Sequence, residues 1–508
     1  MKKSKIITLA CLLLMSWSIK AQTMTNVVKA KSYGMISPMG GKGLAHYGFI
    51  GKKEIFNLGN NFKVFEGDVE VNKDFLAGSY NKNDAVKLAF KGKELLFIRT
   101  DNSMDQAPIF IQTFDANLQP KGKPFKIGEL GVTLGAGSKG STGSISKRTV
   151  EFEASWDQTT GNILVSCHVG SYGVSIIRGG RPKSSTTPYV KLILLDQNFN
   201  VLSTFAQEST EDGSEIEVVS SSVAENGDGV SIIHEISKNV IKRNFFVHVS
   251  KDNEAVLKDI QADKPTVLSS KMSLNSKNDM VAVTILSQDQ DVDKKKCYVG
   301  VYNYNLKTQS VERKSYELSL DNLNLPTMDH FKWLNIDEVQ KLEDGSTLVY
   351  LNSTVTMIDN GREYTQSHGL IFLKIQPNGE LAWVTPIEKL DRGYIGVHDM
   401  NDVITYLNNN GELEVVFNVG RTFLKNETYK IGNSKGAPWI NQMGGNIPMK
   451  TTINLESGAP RYEALKFGGK KVTCLYVGES QKQEVPGKYI MRLFIDGDAF
   501  NTMVDFTE

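Results

Sequence analysis

The chain has 508 residues, of which 40% are hydrophobic and 23% are charged, and its net charge is +1 at pH 7. The first 21 residues hold four lysines and no acidic residue, so the remaining 54 basic and 57 acidic side chains give a net charge of about −3. This balance excludes the strongly basic surface of a nucleic-acid-binding protein.

The N-terminus predicts export from the cytoplasm. A basic segment, Met1–Lys5, precedes the apolar run Ile6–Met15, and a short stretch then leads to Ala21. An apolar run of this length is too short to cross a bilayer, and the arrangement is typical of a signal peptide. We therefore expect residues 1–21 to be a signal peptide and the mature chain to lie in the periplasm or on the outer cell surface, without a transmembrane segment.

The rest of the chain repeats one β-rich unit. Helical periodicity is nearly absent, and short apolar runs alternate with turn residues throughout. The first stretch, Gly43–Phe65, holds two or three strands. Seven copies of the unit follow, each with two apolar runs around a tight turn, a variable loop, and two more apolar runs around a second tight turn. The clearest copy begins at Val150 as VEFEASW, turns through Asp157–Gly161, and ends as VLSTFA at Ala206.

The first tight turns of the seven copies contain glycine or asparagine, which supply the positive φ of short hairpin turns. These turns lie near Gly92, Gly161, Gly229, Asn278, Gly345, Gly411 and Gly469. Four strands in each of seven units predict an all-β fold, a β-propeller of seven four-stranded blades, with six or eight blades also compatible. We expect residues 22–508 to form one propeller domain whose ring is closed by the N-terminal strands of Gly43–Phe65. Two β-sandwiches in tandem are the alternative.

The repeated unit resembles that of the secreted β-propeller proteins of Gram-negative bacteria, and the resemblance is architectural. The turn Asp157–Gly161 (DQTTG) is similar to the turn of quinoprotein-type propeller repeats. Ser155, Trp156 and Asp157 resemble the start of a sialidase-type Asp box, but Thr159 stands where that motif has glycine and the closing aromatic residue is missing. The resemblance therefore implies a propeller fold and no particular activity.

Motifs for cofactors, metals and nucleophiles depart from the patterns that their chemistry requires. Gly135–Gly140 spells GxGxxG, but the Ser/Gly-rich sequence that follows does not predict a helix, so we expect no nucleotide cofactor. The aspartates of Asp289–Asp293 alternate like the start of a calcium loop, but Lys294 occupies the position that needs glycine. We expect no cofactor, no metal site and no catalytic residue. Cys167, Cys297 and Cys474 lie in strand-like runs and predict buried thiols.

The long segments between strands fall at equivalent places in the repeat. The first and third turns of each unit are short, whereas the second turns and the links between units are long at 128–148, 168–188, 352–368 and 420–450. Because second turns and links lie at the same end of a four-stranded unit, we expect the long loops to share one face, where recognition usually occurs.

Two of these loops concentrate positive charge. The candidate ligand-binding residues are the basic side chains of the first two loops and one aromatic residue of the last: Lys139, Lys147, Arg148, Arg178, Arg181, Lys183 and Trp439. A basic patch favours an anionic ligand, such as an acidic glycan or another envelope component. Trp439 offers a ring for stacking on a sugar. Ordinary solvated loops, with Trp439 packed against its own ring of strands, are the alternative.

These observations favour an exported, non-catalytic binding or scaffold propeller whose partner is an anionic glycan or an envelope protein. A glycan-active enzyme on the same scaffold and a structural subunit of an envelope assembly remain alternatives. Converging acids and histidines at one end of the ring would favour the enzyme, and a large exposed apolar patch would favour the structural subunit.

Overall fold

The structure is a computed structural model of the chain. It describes residues 23–29, 44–131, 150–170, 173–174, 183–184, 188–394, 402–420, 424–425, 428–429 and 446–507, apart from gaps at 51, 59–60, 67–68, 73–74, 77–78, 81–83, 92–93, 102–105, 211–213, 239, 253, 276–279, 290–292, 324, 326–327, 329, 360–361, 390, 468–471, 478–479, 484–486 and 496–497. The predicted signal peptide lies outside the described residues.

The described residues are almost entirely antiparallel β-structure, as predicted, and they form four-stranded units that we number in chain order. Unit 1 comprises β2 (Leu44–Ile50), β3 (Lys53–Leu58), β4 (Asn61–Glu66) and β5 (Val69–Asn72). Unit 2 comprises β6 (Val86–Lys91), β7 (Glu94–Thr100), β8 (Pro108–Phe114) and β9 (Phe125–Glu129). Unit 3 comprises β10 (Val150–Trp156), β11 (Ile163–Val169), β14 (Tyr189–Leu195) and β15 (Val201–Glu208). Unit 4 comprises β16 (Glu215–Val223), β17 (Gly229–Ser237), β18 (Val240–Val249) and β19 (Val256–Ile260).

The second half of the chain continues the same order. Unit 5 comprises β20 (Thr266–Asn275), β21 (Met280–Gln288), β22 (Lys296–Asn305) and β23 (Val311–Ser319), and it is followed by the short helix α1 (Leu320–Leu323). Unit 6 comprises β24 (Leu334–Lys341), β25 (Thr347–Asp359), β26 (Arg362–Ile375) and β27 (Leu381–Ile387). Unit 7 comprises β29 (Ile404–Leu407), β30 (Leu413–Gly420), β33 (Asn446–Ile453) and β34 (Pro460–Ala464). Unit 8 comprises β35 (Val472–Leu475), β37 (Lys488–Ile495), β38 (Asp498–Asp505) and the N-terminal strand β1 (Thr23–Lys29).

Six short strands add to these units. They are β12 (Gly173–Val174) and β13 (Lys183–Ser184), which pair with each other, β31 (Leu424–Lys425) and β32 (Thr428–Tyr429), which also pair with each other, β28 (Asp391–Tyr394), which pairs with β26, and β36 (Gln481–Lys482), which pairs with β37. Units 4 and 5 are joined by one pair between β18 and β20, Ile241 with Val267.

The described strands thus give eight four-stranded units, where the repeat count predicted seven. The difference lies at the N-terminus. Gly43–Phe65 was expected to complete the last unit, but its strands acquire β5 as a fourth partner and form a unit of their own. The strand that completes the last unit is β1, whose residues Thr23–Lys29 pair with Asp505–Phe500 of β38.

Each unit packs on the next through a separate hydrophobic core, so most strands bury side chains on both faces. In β14, Leu192 and Leu194 face the core shared with unit 4, whereas Ile193 and Leu195 face the core shared with unit 2. Equivalent cores join units 1 and 2, 4 and 5, 5 and 6, 6 and 7, and 7 and 8. Full burial of one such side chain contributes about 1.5–3 kcal/mol, which explains the doubly apolar strands of the sequence.

The sequence predicts a tight first turn with positive φ in each of seven units, and at three of the seven predicted positions the structure has a glycine with positive φ. Gly161, Gly345 and Gly411 have φ of 73°, 82° and 71°, in the left-handed region that glycine adopts without strain. In unit 4 this conformation belongs to Gly227 (φ 86°) rather than to Gly229, which starts β17. The turns predicted near Gly92, Asn278 and Gly469 lie outside the described residues.

Units 1 and 8 meet through a buried ion pair. Arg492 of β37 donates to Glu54 of β3 with a distance of 2.7 Å, and Asn501 of β38 donates to the other oxygen of Glu54 at 2.6 Å. The Arg492 guanidinium also lies 5.3 Å from the centre of the Phe56 ring. Glu54 is 1% and Arg492 4% exposed. This contact joins the first and last units across more than 430 residues of sequence.

Two further predictions concern thiols and the membrane. Cys167, Cys297 and Cys474 are free and buried, as predicted, and burial raises the pKa of each thiol. Among the described residues, no helix is long and apolar enough to cross a membrane.

Candidate functional site

Each unit has an end that carries its longer connections. The first strand of a unit starts opposite the end of its second strand, as Val150 pairs with Val169 and Leu334 with Ser353. The link from the preceding unit and the second turn therefore lie together, and we call this end the long-loop end.

Most of the candidate ligand-binding residues that the sequence predicts lie outside the described residues. Lys139, Lys147, Arg148, Arg178, Arg181 and Trp439 fall outside the described residues. The backbone of Lys183 is described, and it pairs with Val174 in the short β12–β13 ladder between the second and third strands of unit 3. The grouping of these side chains on one surface therefore stays a prediction.

At the long-loop end of unit 6, a hairpin takes the place of the loop predicted at 352–368. Strands β25 and β26 continue their ladder beyond the first strand of the unit, as far as the pair Asp359 with Arg362. Strand β28 then pairs with the extended part of β26, Tyr364 with Tyr394. The predicted loop was wrong here because its alternating polar residues form a ladder with each other. A paired extension holds side chains more rigidly than a loop does.

The base of this extension contains a buried ion pair. Lys389 Nζ donates to Asp391 Oδ2 at 2.7 Å and to Ser367 Oγ of β26 at 3.3 Å. The side chains of Lys389 and Asp391 are 0% and 1% exposed. Burial raises the pKa of Asp391, and the neighbouring Lys389 ammonium opposes this rise. The pair thus fixes the segment that follows β27 against the extended hairpin.

An aromatic cluster lies beside the extension, where the chain enters β24. The Trp333 indole is partly exposed and is flanked by two imidazoles. The His330 ring meets it edge-on, with 4.4 Å between centroids and 73° between planes, and the His368 ring lies 5.2 Å away at 33°. Gln366 Nε2 lies 3.3 Å from His368 Nε2, so the amide donates when that imidazole nitrogen is unprotonated. The cluster combines an apolar ring with hydrogen-bonding groups at its rim.

A second polar network crosses units 3, 4 and 5. His234 Nε2 lies 2.6 Å from Ser270 Oγ, and His234 Nδ1 lies 3.8 Å from Glu217 Oε1. The His234 imidazole lowers the pKa of the Glu217 carboxyl, and partial burial opposes this effect. His168 of β11 lies on the same side, and its Nε2 is buried without a hydrogen-bond partner among the described residues.

A serine, a histidine and a glutamate in contact in this order resemble a nucleophilic triad, but the serine is too deeply buried to act as a nucleophile. Ser270 is 1% exposed, in the middle of β20 and paired with Ile285 of β21. A nucleophile must reach a substrate carbonyl, and this hydroxyl faces the interior between two units. The network therefore links neighbouring units and leaves the Glu217 carboxylate, 44% exposed, as its solvent-facing member.

Sequence reasoning missed both clusters. The segment MDHFKW, Met328–Trp333, places a histidine and two aromatic residues directly before the first strand of unit 6, and this density of rings in a link was the available signal. His168, Glu217 and His234 are far apart in sequence, and no local pattern joins them. Among the described residues, no group of three or more His, Cys, Asp or Glu side chains could hold a metal ion.

Comparisons with known proteins do not place the chain in a family. No family profile matches its sequence, and no curated protein is similar to it. Solved structures that it resembles include a polysaccharide lyase, Uly1 (TM-score 0.34, 9% identity, 96% of this chain and 99% of the lyase covered) and the WD40 domain of SCAP from fission yeast (0.23, 7%, 84% and 99%). A third is prolyl oligopeptidase B from Galerina marginata (0.29, 9%, 72% of this chain), of which this chain spans about half the length, 53%.

Proposed function

We propose that residues 22–508 form one β-propeller of eight four-stranded blades, closed into a ring by β1 and by the contact between units 1 and 8. Three observations support this architecture. Every unit shares a core with the next one, the N-terminal strand completes the last unit, and the Glu54–Arg492 pair joins the two ends. Radial repetition of four-stranded sheets is the arrangement that buries both faces of each sheet and leaves only short edges.

We further propose that the protein is exported and binds a glycan at the long-loop end without transforming it. The observation that carries this proposal is the partly exposed Trp333, which lies between His330 and His368 beside the paired extension of unit 6. A sugar presents an apolar C–H face and a rim of hydroxyls, which suit an aromatic ring with hydrogen-bonding neighbours. The basic residues of the unit 3 loops favour an acidic glycan.

A glycan-active enzyme is the second candidate, since Glu217 places a carboxylate and an imidazole together at the same end. The burial of Ser270 and of the three thiols supports binding over nucleophilic catalysis. Incubation of the protein with acidic and neutral oligosaccharides, followed by analysis of reducing ends, separates the two functions. Cleavage that disappears in Glu217→Gln would replace the binding proposal with the enzymatic one.

Trp333→Ala is expected to weaken glycan binding about tenfold or more, because buried tryptophan contacts dominate binding surfaces. Binding is measured by isothermal titration with oligosaccharides selected from a glycan array. The matched control is Phe125→Ala, which removes an aromatic ring 49% exposed at the opposite end of unit 2. Equal affinity of Trp333→Ala and wild-type protein, with both folded by circular dichroism, would contradict the proposal.

The triple variant Arg178→Ala, Arg181→Ala, Lys183→Ala is expected to weaken binding of acidic oligosaccharides and to leave neutral ones and thermal stability unchanged. Each exposed charge contact contributes about 1 kcal/mol or less, and salt screens it over about 8–10 Å, so single changes have small effects. Titrations at low and high salt measure the effect. An affinity that does not depend on salt, or no loss in the triple variant, would show that these residues are ordinary solvated loop residues.

A further inference from the structure

A cleft opens between units 4 and 5, and none of its lining residues belongs to the Trp333 cluster. Its volume is about 420 Å³, within the range of small-molecule sites. One wall is formed by Lys258 of the outer strand β19 and by Gln261, which directly follows this strand, and strands β22 and β23 provide the other wall.

The floor of the cleft is a pair of tyrosines that the fold holds in place. Tyr304 is 3% exposed and stacks on Phe246 of unit 4, with 4.2 Å between centroids and 18° between planes. Tyr302 is 5% exposed, and its hydroxyl donates to the carbonyl of Gln261 across the cleft. Both rings are therefore ordered before any ligand arrives, so binding loses little side-chain freedom.

The Tyr304 hydroxyl is available to a ligand. It has no hydrogen-bond partner within the described part of the chain, and its oxygen is not sealed from solvent. Burial of the ring raises the pKa of Tyr304 to about 12, so the hydroxyl stays protonated and can donate. A neutral donor at the floor of a cleft suits a sugar hydroxyl or a carboxylate oxygen.

Two cations flank these rings, and one of them lacks a counter-charge. Arg313 lies 5.4 Å from the Tyr302 ring centre and is paired with Asp263. Lys258 Nζ lies 5.7 Å from the Tyr304 ring centre and donates to the carbonyl of Gln309 at 2.6 Å. No acidic side chain among the described residues forms an ion pair with Lys258. Asp259 also lines the cleft, and its carboxylate is paired with Arg243 at 2.7 Å, so Lys258 is the cation that remains for an anionic ligand.

We propose that this cleft is a second binding site, for a carboxylate-bearing sugar such as a terminal hexuronate. The carboxylate would meet Lys258, a sugar hydroxyl would accept from Tyr304, and the apolar face of the sugar would pack on the tyrosine rings. The site is independent of the Trp333 cluster, because none of the residues that line it belongs to that cluster.

The test compares digalacturonate with neutral cellobiose by isothermal titration. Wild-type protein is expected to bind digalacturonate and not cellobiose, with affinity that falls as salt rises. Lys258→Met is expected to weaken binding about fivefold and Tyr304→Phe about threefold to tenfold, as expected for one exposed charge contact and one hydrogen bond. Tyr304→Phe keeps the stacking on Phe246, so it preserves the fold.

The matched control is Lys242→Met, which removes an exposed lysine from neighbouring β18, outside the cleft. It is expected to bind digalacturonate as the wild type does. The inference is overturned if the wild type does not bind digalacturonate, if it binds cellobiose equally, or if Lys258→Met and Tyr304→Phe bind normally. Binding that is lost in Trp333→Ala but kept in both cleft variants would place the acidic sugar at the long-loop end instead, and would overturn only this inference.

Discussion

Replacement of Arg492 with leucine is expected to lower the free energy of unfolding by about 3–5 kcal/mol, as is typical when one partner of a buried ion pair is removed. The change removes the 2.7 Å hydrogen bond from the guanidinium to the Glu54 carboxylate, which is 1% exposed, and leaves the bond from Asn501 in place. It also removes the guanidinium from the face of Phe56. Chemical denaturation followed by tryptophan fluorescence measures the effect.

Two further variants make this result specific to the contact between units 1 and 8. The double variant Glu54→Leu, Arg492→Leu is expected to recover much of the loss, since apolar residues of similar volume can replace a buried pair. Arg243→Leu breaks an exposed pair with Asp259 and should change stability by about 1 kcal/mol or less. If Arg492→Leu behaves like Arg243→Leu, units 1 and 8 do not meet in solution and the closed ring is wrong.

The sequence predicts those parts of the fold that local patterns encode. Strand β10 has the bounds of the run VEFEASW, Val150–Trp156, because alternation and turn residues are local signals. The doubly apolar run YVKLILL of β14 correctly indicated a sheet packed on both faces. The buried position of Cys167 followed from the same reasoning.

The parts that were missed depend on contacts between distant residues. The sequence does not assign Gly43–Phe65 to a unit of its own, because β5, the strand that completes unit 1, has only a weak pattern. The last unit is completed instead by β1, through its pairing with β38. The polar composition of Asn352–His368 predicts a loop. The two strands in this run pair mainly with each other, and the sequence does not show this pairing. Trp333 meets His368 only after the chain has turned twice, so no spacing rule joins them.

The candidate site was predictable in its location and not in its residues. Unit geometry indicated that long connections lie at one end, and the extension of unit 6 and the β12–β13 ladder do lie at the long-loop ends of their units. The charge cluster of the loops is visible in sequence, whereas the Trp333 cluster and the cleft at Tyr304 arise from packing between strands. Burial and ring geometry decide these sites, and composition does not contain that information.

The two single variants of the buried pair at the base of the extension are expected to destabilise the protein, and the loss in Lys389→Met is expected to depend on the protonation of Asp391. Lys389→Met leaves Asp391 buried without its cation, and its pKa, already raised by burial, should rise further. A carboxyl whose pKa is higher in the folded state than in the unfolded state favours folding only while it is protonated. The loss should therefore be small near pH 4 and reach about 3–5 kcal/mol at pH 7.

Asp391→Asn removes the carboxylate that lies 2.7 Å from the buried Lys389 ammonium, and this loss of a partner should cost about 3–5 kcal/mol. Because no Asp391 carboxyl remains to take up a proton, this loss should not follow the pH dependence of Lys389→Met. Hydrogen exchange of the amides of β25 and β26, followed from pH 4 to 9 with wild-type protein as reference, separates local opening of the extension from global unfolding. Parallel pH profiles for the two variants would contradict a buried ion pair. A pH-dependent loss in Lys389→Met alone, together with weaker glycan binding in both variants, would show that this pair holds Trp333 and His368 in the geometry that the ligand meets.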